Sequence, residues 1–458
     1  VGSEDSAVAV KPLWTVLRRL EFPLGVTVVS FFILLLLTIS ILMPAVDWPT
    51  QPRDYTHMFD GAVRMVLGSD LYHGKKQGWD PFYCYPPTCA ALVAPLASTH
   101  VNLALSFWSA LHPFFAVLLV YFSGLLFGLS TRRQWLALCA ISAIALFSPF
   151  SQEFVEGQVN VFVTVLVVAG LLLLRRDRVV AGALLLALAT HIKVTPGILL
   201  LVLLVTRQWR AAGWMCAHGL WLALVPLVWM VPALGPVNGF VHNVDMHVYF
   251  VRDIVLTAVF KGQYMDFSMY RWANLSVPGT LHRLFDDNAV VAAGSLSPGA
   301  VLFGLPPALL DWVARLVALA MLGGGVFVLR RASSGVAVTG TALLVWLGFQ
   351  LGNLVCWEHH LLSLVPLFAF LMVMQWPRKE AWILLLAGAM FLVLSLPRLW
   401  EMAPLFMLAP VDNEDLVRNG KYGVSTLVVL AFWAVSLYHA WKHAVPTGPA
   451  AQGKESVT

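Results

Sequence analysis

The chain has 458 residues, of which 59% are hydrophobic and 12% charged, about half the charged fraction of an ordinary soluble chain. A water-soluble fold could not hide that much apolar surface, so the composition excludes the soluble classes. The net charge of +5 does not mark a nucleic-acid binder either, because the basic residues punctuate apolar segments instead of gathering on one face.

In chain order, residues 1–24 read as a cytoplasmic tail, 25–442 as a transmembrane domain and 443–458 as a second cytoplasmic tail. Crossing the hydrocarbon takes about 20 apolar residues, and Gly25–Val46, Leu105–Leu129, Gly213–Val231, Trp312–Leu329 and Ser425–Trp441 come close to that length. The first stretch follows Lys11, Arg18 and Arg19 as a signal peptide does. Its apolar core is too long and lacks a small-residue cleavage pattern, so it is read as a retained anchor. The connections Thr131–Arg133, Arg175–Arg178, Arg207–Arg210, Arg330–Arg331 and Arg378–Lys379 carry basic pairs or triples, as cytoplasmic loops do. The loops 47–103, 151–157, 234–303, 356–360 and 397–423 then face outward, and the long ones, 47–103 and 234–303, form an outer functional face.

Within the first long loop, Met58, Ala62, Met65 and Val66 recur at helical spacing, which predicts an amphipathic helix over 54–67 lying along the interface. Only 28 residues separate Arg178 from Arg207, and one crossing there would turn every later basic loop outward. The chain is therefore expected to break at His191–Gly197, giving short buried helices, and Lys193 to line a cavity open to the outside. The fold class is all-α, a polytopic bundle of about twelve membrane helices with amphipathic helices in the outward loops. Cys84, Cys89, Cys139, Cys216 and Cys356 have no zinc-type spacing and define no disulfide framework.

The polar residues that call for explanation share the outer face. Asp54 reads either as a helix cap or as a general base, and the sequence leaves both open. Lys193 precedes Thr195, taken as an N-cap, and Pro196, which places an ammonium beside free backbone amides and suggests an anion site; a lysine reaching toward water is its plainer reading. Gln158 and Asn160 open the next span. His359 and His360 sit at an outer turn beside Glu358, where adjacent side chains diverge, so no metal is expected. Tyr85 and its neighbours in Phe82–Pro87 line a lipid or sugar groove or belong to an interfacial belt. Asp286–Asp287 reads as a solvated loop pair, and Asp311 with Arg315 as a pair on one helix face.

Taken in order, Asp54-Tyr55-Thr56-His57-Met58-Phe59-Asp60-Gly61-Ala62, Gly68-Ser69-Asp70-Leu71-Tyr72, Tyr85-Pro86-Pro87, Gly157-Gln158-Val159-Asn160, Lys193 with Pro196, Asn274-Leu275-Ser276-Val277-Pro278-Gly279 and Trp357-Glu358-His359-His360 resemble glycosyltransferase family 87. The resemblance covers roughly residues 50–365. It implies the GT-C superfold and a polyprenyl-phosphate sugar donor, with mannose or arabinofuranose transferred to a glycan or glycolipid acceptor on the extracytoplasmic face of a bacterial plasma membrane. It places the catalytic base on Asp54 and sets His359 or His360 near the donor phosphate with Lys193. Gln158, Asn160, Tyr85, Asn274 and Glu358 are then expected at the substrate. The implied transfer inverts the anomeric centre and uses no metal or other cofactor. The partners are the lipid-linked sugar, the acceptor and membrane lipids, without nucleic acid. A transporter or flippase for a lipid-linked sugar is the alternative.

Overall fold

A computed structural model describes residues 54–72, 83–258, 274–286, 304–353, 356, 358–375 and 414–444. These residues are helical, with no strand among them. Residues 1–24, the expected anchor Gly25–Val46 and residues 445–458 lie outside them, while the start of the expected C-terminal tail, 443–444, is still helical. Four helices, or five if one bent pair counts as a single span, are long and apolar enough to cross a membrane. They include 107–127, 209–234 and 307–331, close to three of the stretches read from the sequence.

The first described element, α1 (Asp54–Val66), is the expected amphipathic helix, and it buries Met58, Ala62 and Met65. Val66, assigned to the same apolar face, is instead exposed. Beside α1 runs α2 (Pro87–Val93), entered through Tyr83–Pro86. The Tyr72 hydroxyl donates to the Tyr85 carbonyl at 2.9 Å, and the Tyr83 hydroxyl to that of Pro86 at 2.9 Å. These bonds hold in place an approach whose prolines disfavour helical backbone before them.

The core is built on α3 (Val101–Phe127), α4 (Arg132–Ala145), α5 (Phe147–Glu156), α6 (Asn160–Arg175) and α7 (Val179–Ile192). Thr131 and Gln134 form a reciprocal cap at the start of α4, each side chain accepting from the other's backbone N–H. Between α4 and α5 the chain bends by 65°. Residues 151–156, read as part of an outer loop, belong to helix α5, which stops at Gly157 in a left-handed conformation with φ 65°. That backbone favours glycine, and it turns Gln158 and Asn160 inward.

Helix α6 lies against α3 and α7. At the α6–α7 crossing, a methyl group added to Gly182 would stand 2.8 Å from the Gly170 carbonyl oxygen, so small residues permit the close approach typical of membrane helices. The expected break is present. Helix α7 ends at Ile192, Lys193 is extended (φ −145°, ψ 122°), a 3₁₀ turn covers Thr195–Gly197, and α8 runs over Ile198–Val205. The capping position of that turn belongs to Val194, not Thr195. The buried Thr195 hydroxyl has no hydrogen-bond partner among the described residues, and the next amides, of Gly197 and Ile198, already donate to backbone carbonyls.

Then come α9 (Trp209–Leu222), α10 (Leu227–Leu234) and α11 (Pro236–Tyr249), the last two folded together at Gly235. Helices α12 (Val277–Phe285), α13 (Pro307–Arg331), α14 (Gly335–Gly352), α15 (Leu364–Gln375) and α16 (Glu414–Ala444) complete the described chain. Two expectations fail here. Asp286 is fully buried and its Oδ2 lies 3.0 Å from His282 Nδ1, while Asp311 Oδ1 lies 3.0 Å from His282 Nε2. A histidine distant from Asp311 in sequence outcompetes Arg315, whose guanidinium sits 5.9 Å from the centre of the Trp312 ring. All five cysteines are free.

Replacing Gly182 by valine forces α6 and α7 apart. The expected cost is about 1–3 kcal/mol, read as a lower melting temperature of the purified protein in detergent, whereas valine at the open position Gly213, where an added methyl group meets nothing within 4 Å, changes it little.

Candidate active site

Lys193 leaves the end of α7 half-buried and reaches two long-range partners. Its Nζ lies 2.5 Å from Asn160 Oδ1 and 2.7 Å from His360 Nε2. An ammonium donates and has no lone pair, so both contacts accept from it and the His360 ring carries its proton on Nδ1. Asn160 also opens α6, and His360 lies in the 3₁₀ turn Glu358–Ser363. That turn packs against α5 and α6, which is how residues far apart in sequence meet.

Behind Asn160 is a buried carboxyl that the sequence reading did not single out. Glu153, 1% exposed, accepts from Asn160 Nδ2 at 2.9 Å and from the Val161 backbone N–H at 2.7 Å. The Gln158 side-chain oxygen accepts from Asn160 Nδ2 and from the Tyr85 hydroxyl, each at 3.3 Å. The turn itself is tied to α3, where Trp108 Nε1 donates to the Gly157 carbonyl at 2.8 Å and His112 Nε2 lies 2.8 Å from the Gln158 carbonyl. The structure thus brings Tyr85, Gln158, Asn160, Lys193 and His360 into one polar network. Glu153 carried little signal in the sequence, where it stands among Ser151, Gln152, Glu156 and Gln158; its burial comes from the packing of α5.

His359 stacks edge-on against His360 with ring centres 4.9 Å apart. It is 4% exposed, and neither ring nitrogen has a partner among the described residues. A buried imidazole left unsatisfied calls for a ligand, water or ion. The neighbouring Glu358 opens the turn, and its side chain lies outside the described residues. Among those residues, no group of three or more His, Cys, Asp or Glu side chains is placed to hold a metal ion.

Asp54 stands at the start of α1 with a side chain 37% exposed and is close enough to Lys193 to act on it electrostatically. His57, one turn on, approaches it at 4.0 Å. Burial lowers the His57 imidazole below its ordinary 6.5, against the opposing pull of Asp60, so near neutral pH it brings no full positive charge to Asp54. The buried Tyr55 hydroxyl, without a partner among the described residues, is pushed up to about 12 by burial and remains protonated.

Asn274 is placed differently. Its side-chain oxygen accepts from the backbone N–H of Ser276 at 3.1 Å and of Cys356 at 2.9 Å, tying the start of α12 to the strip before the histidine turn. Asn274→Ala strands both buried N–H groups at about 1–3 kcal/mol each. The expected result is a large fall in melting temperature with little change in activity per folded molecule; the reverse pattern would make Asn274 a substrate contact.

The sequence model of glycosyltransferase family 87 matches residues 83–348, more than half of the chain. That span contains Tyr85, Glu153, Gln158, Asn160, Lys193 and Asn274, whereas Asp54, His359 and His360 flank it. No curated protein matches the chain significantly. With its apolar spans and this match over most of the helical core, the chain belongs to glycosyltransferase family 87 and is a membrane glycosyltransferase.

Proposed function

We propose that this enzyme transfers a sugar, mannose or arabinofuranose, from a polyprenyl-phosphate donor to a hydroxyl of a glycan or glycolipid on the extracytoplasmic face of a bacterial plasma membrane. The reading includes the GT-C arrangement of about twelve membrane helices, of which the described spans are a part. The observation that carries it is the Lys193 ammonium held between Asn160 and His360 within electrostatic reach of the half-exposed Asp54. One cation and one accessible carboxylate are the charges that such a displacement requires.

In the reaction, Asp54 takes the proton of the acceptor hydroxyl as that oxygen bonds to the anomeric carbon from the side opposite the phosphate. The bond from that carbon to the phosphate oxygen breaks through an oxocarbenium-like transition state, and the configuration inverts. The departing polyprenyl phosphate needs no proton if its growing charge is met. Of the three ammonium hydrogens, two are committed to Asn160 and His360, which leaves the third for a phosphate oxygen. The His359 ring, without a partner among the described residues, supplies a second contact. Tyr85 and Gln158 border the sugar, Glu358 is a further candidate contact, and the prenyl tail lies in a lipid-facing groove between helices. The chemistry calls for no metal or other cofactor.

The test is sugar transfer by purified protein in lipid, with polyprenyl-phosphate mannose or arabinofuranose and a panel of acceptors. Removing the base in Asp54→Ala is expected to slow transfer by about 10²–10⁴-fold, and Lys193→Met by about 10²–10³-fold. A chelator leaves the rate unchanged. Full activity in Asp54→Ala removes the base assignment, and abolition by chelator makes the reaction metal-dependent.

A further inference from the structure

The reaction above leaves Glu153 without a task, yet this carboxyl is almost fully enclosed and both of its oxygens are engaged. Its Oε1 accepts from the Val161 N–H, the bond that a carboxylate makes in capping a helix N-terminus. Its Oε2 accepts from Asn160 Nδ2, a bond that capping does not require. The other hydrogen of that amide points to Gln158 Oε1 at 3.3 Å. Both amide hydrogens are therefore drawn away from Lys193, and Oδ1 is the atom left to face the ammonium at 2.5 Å.

An asparagine amide turned the other way would present its NH2 group to the ammonium, donor against donor. A carboxylate only accepts, so it tolerates one orientation of Asn160 alone, whereas water or a hydroxyl would accept either. We propose that Glu153 is a positioning residue: it fixes the Asn160 amide with its oxygen toward Lys193 and thereby holds the ammonium where the donor phosphate departs. The proposal rests on the transferase reading for what Lys193 meets, but not for how Lys193 is held.

Glutamine at this position keeps the volume and loses one acceptor. Its NH2 group must face either the Val161 N–H or Asn160, and the second clash is relieved by turning the Asn160 amide, which drives Lys193 away. A step that depends on placement loses about 100-fold for a misplacement on the order of 1 Å. In lipid nanodiscs, Glu153→Gln is expected to lower kcat by about that factor with acceptor KM within about twofold. Because the effect runs through the lysine, Glu153→Gln adds no further loss in a Lys193→Met background. Losses that multiply in the double variant overturn the proposal, since they show independent roles.

A cryo-EM structure of Glu153→Gln supplies an arm that does not depend on turnover. Loss of the Lys193 contact to Asn160 Oδ1 supports the proposal, and a lysine still seated between Asn160 and His360 overturns it. If the wild type transfers no sugar from any polyprenyl-phosphate donor, the transferase reading falls, and this structural arm still decides what Glu153 does.

Discussion

A buried ammonium has to be surrounded by acceptors, and most of the described site follows from meeting that need at Lys193. Leaving such a charge unpaired away from water costs several kcal/mol even after relaxation. Here the acceptors come from the N-terminus of α6 and from the turn ahead of α15, while the lysine comes from the end of α7. Three segments with little reason to converge are thereby held at one point. Glu153 stands behind Asn160 and accepts from its Nδ2 at 2.9 Å, so the acceptor that faces Lys193 is itself hydrogen-bonded.

The helix break is the second constraint, and it serves the first. Continuing α7 would carry residue 193 along a helix face and spend its backbone N–H and carbonyl on the next turn. Extended backbone at Lys193 instead lets the chain change direction while its N–H still closes the last turn of α7 on Ala189 at 2.9 Å. Irregular backbone at membrane depth survives only against protein or water. The buried Thr195 and Pro196 and the packing of the following turn on α14 meet that condition.

Two further assemblies frame the site. Tyrosine hydroxyls pin the Tyr83–Pro86 approach, so that Tyr85 reaches Gln158 from the side of α1. On the other side, His282 bridges Asp286 and Asp311, and Thr280 meets Thr426 at 2.8 Å, joining α12 to α13 and α16. With Asn274 reaching Cys356, these contacts brace the strip that leads into the histidine turn. The proposed donor-phosphate site would depend on such bracing, because electrostatic stabilisation requires groups that are already in place when charge develops.

By itself the sequence determined the membrane class, through apolar content that no soluble core accommodates, and the break at His191–Gly197, through the spacing of basic loops and the Thr-Pro-Gly signal. It also marked Gln158, Asn160, Lys193 and His360, since polar residues inside apolar runs stand out without any knowledge of their partners. Which groups would pair was decided only by tertiary structure. The bonds from Lys193 span 33 and 167 residues, and the Asp311–His282 contact spans 29. Helical periodicity reports neighbours three or four residues apart and so offered Arg315 to Asp311, while residue type alone suggested a cap at Thr195 and a solvated loop at Asp286. The contact between Asn160 and Glu153 spans only seven residues, yet periodicity misses it too, because the chain turns at Gly157 between the two helices.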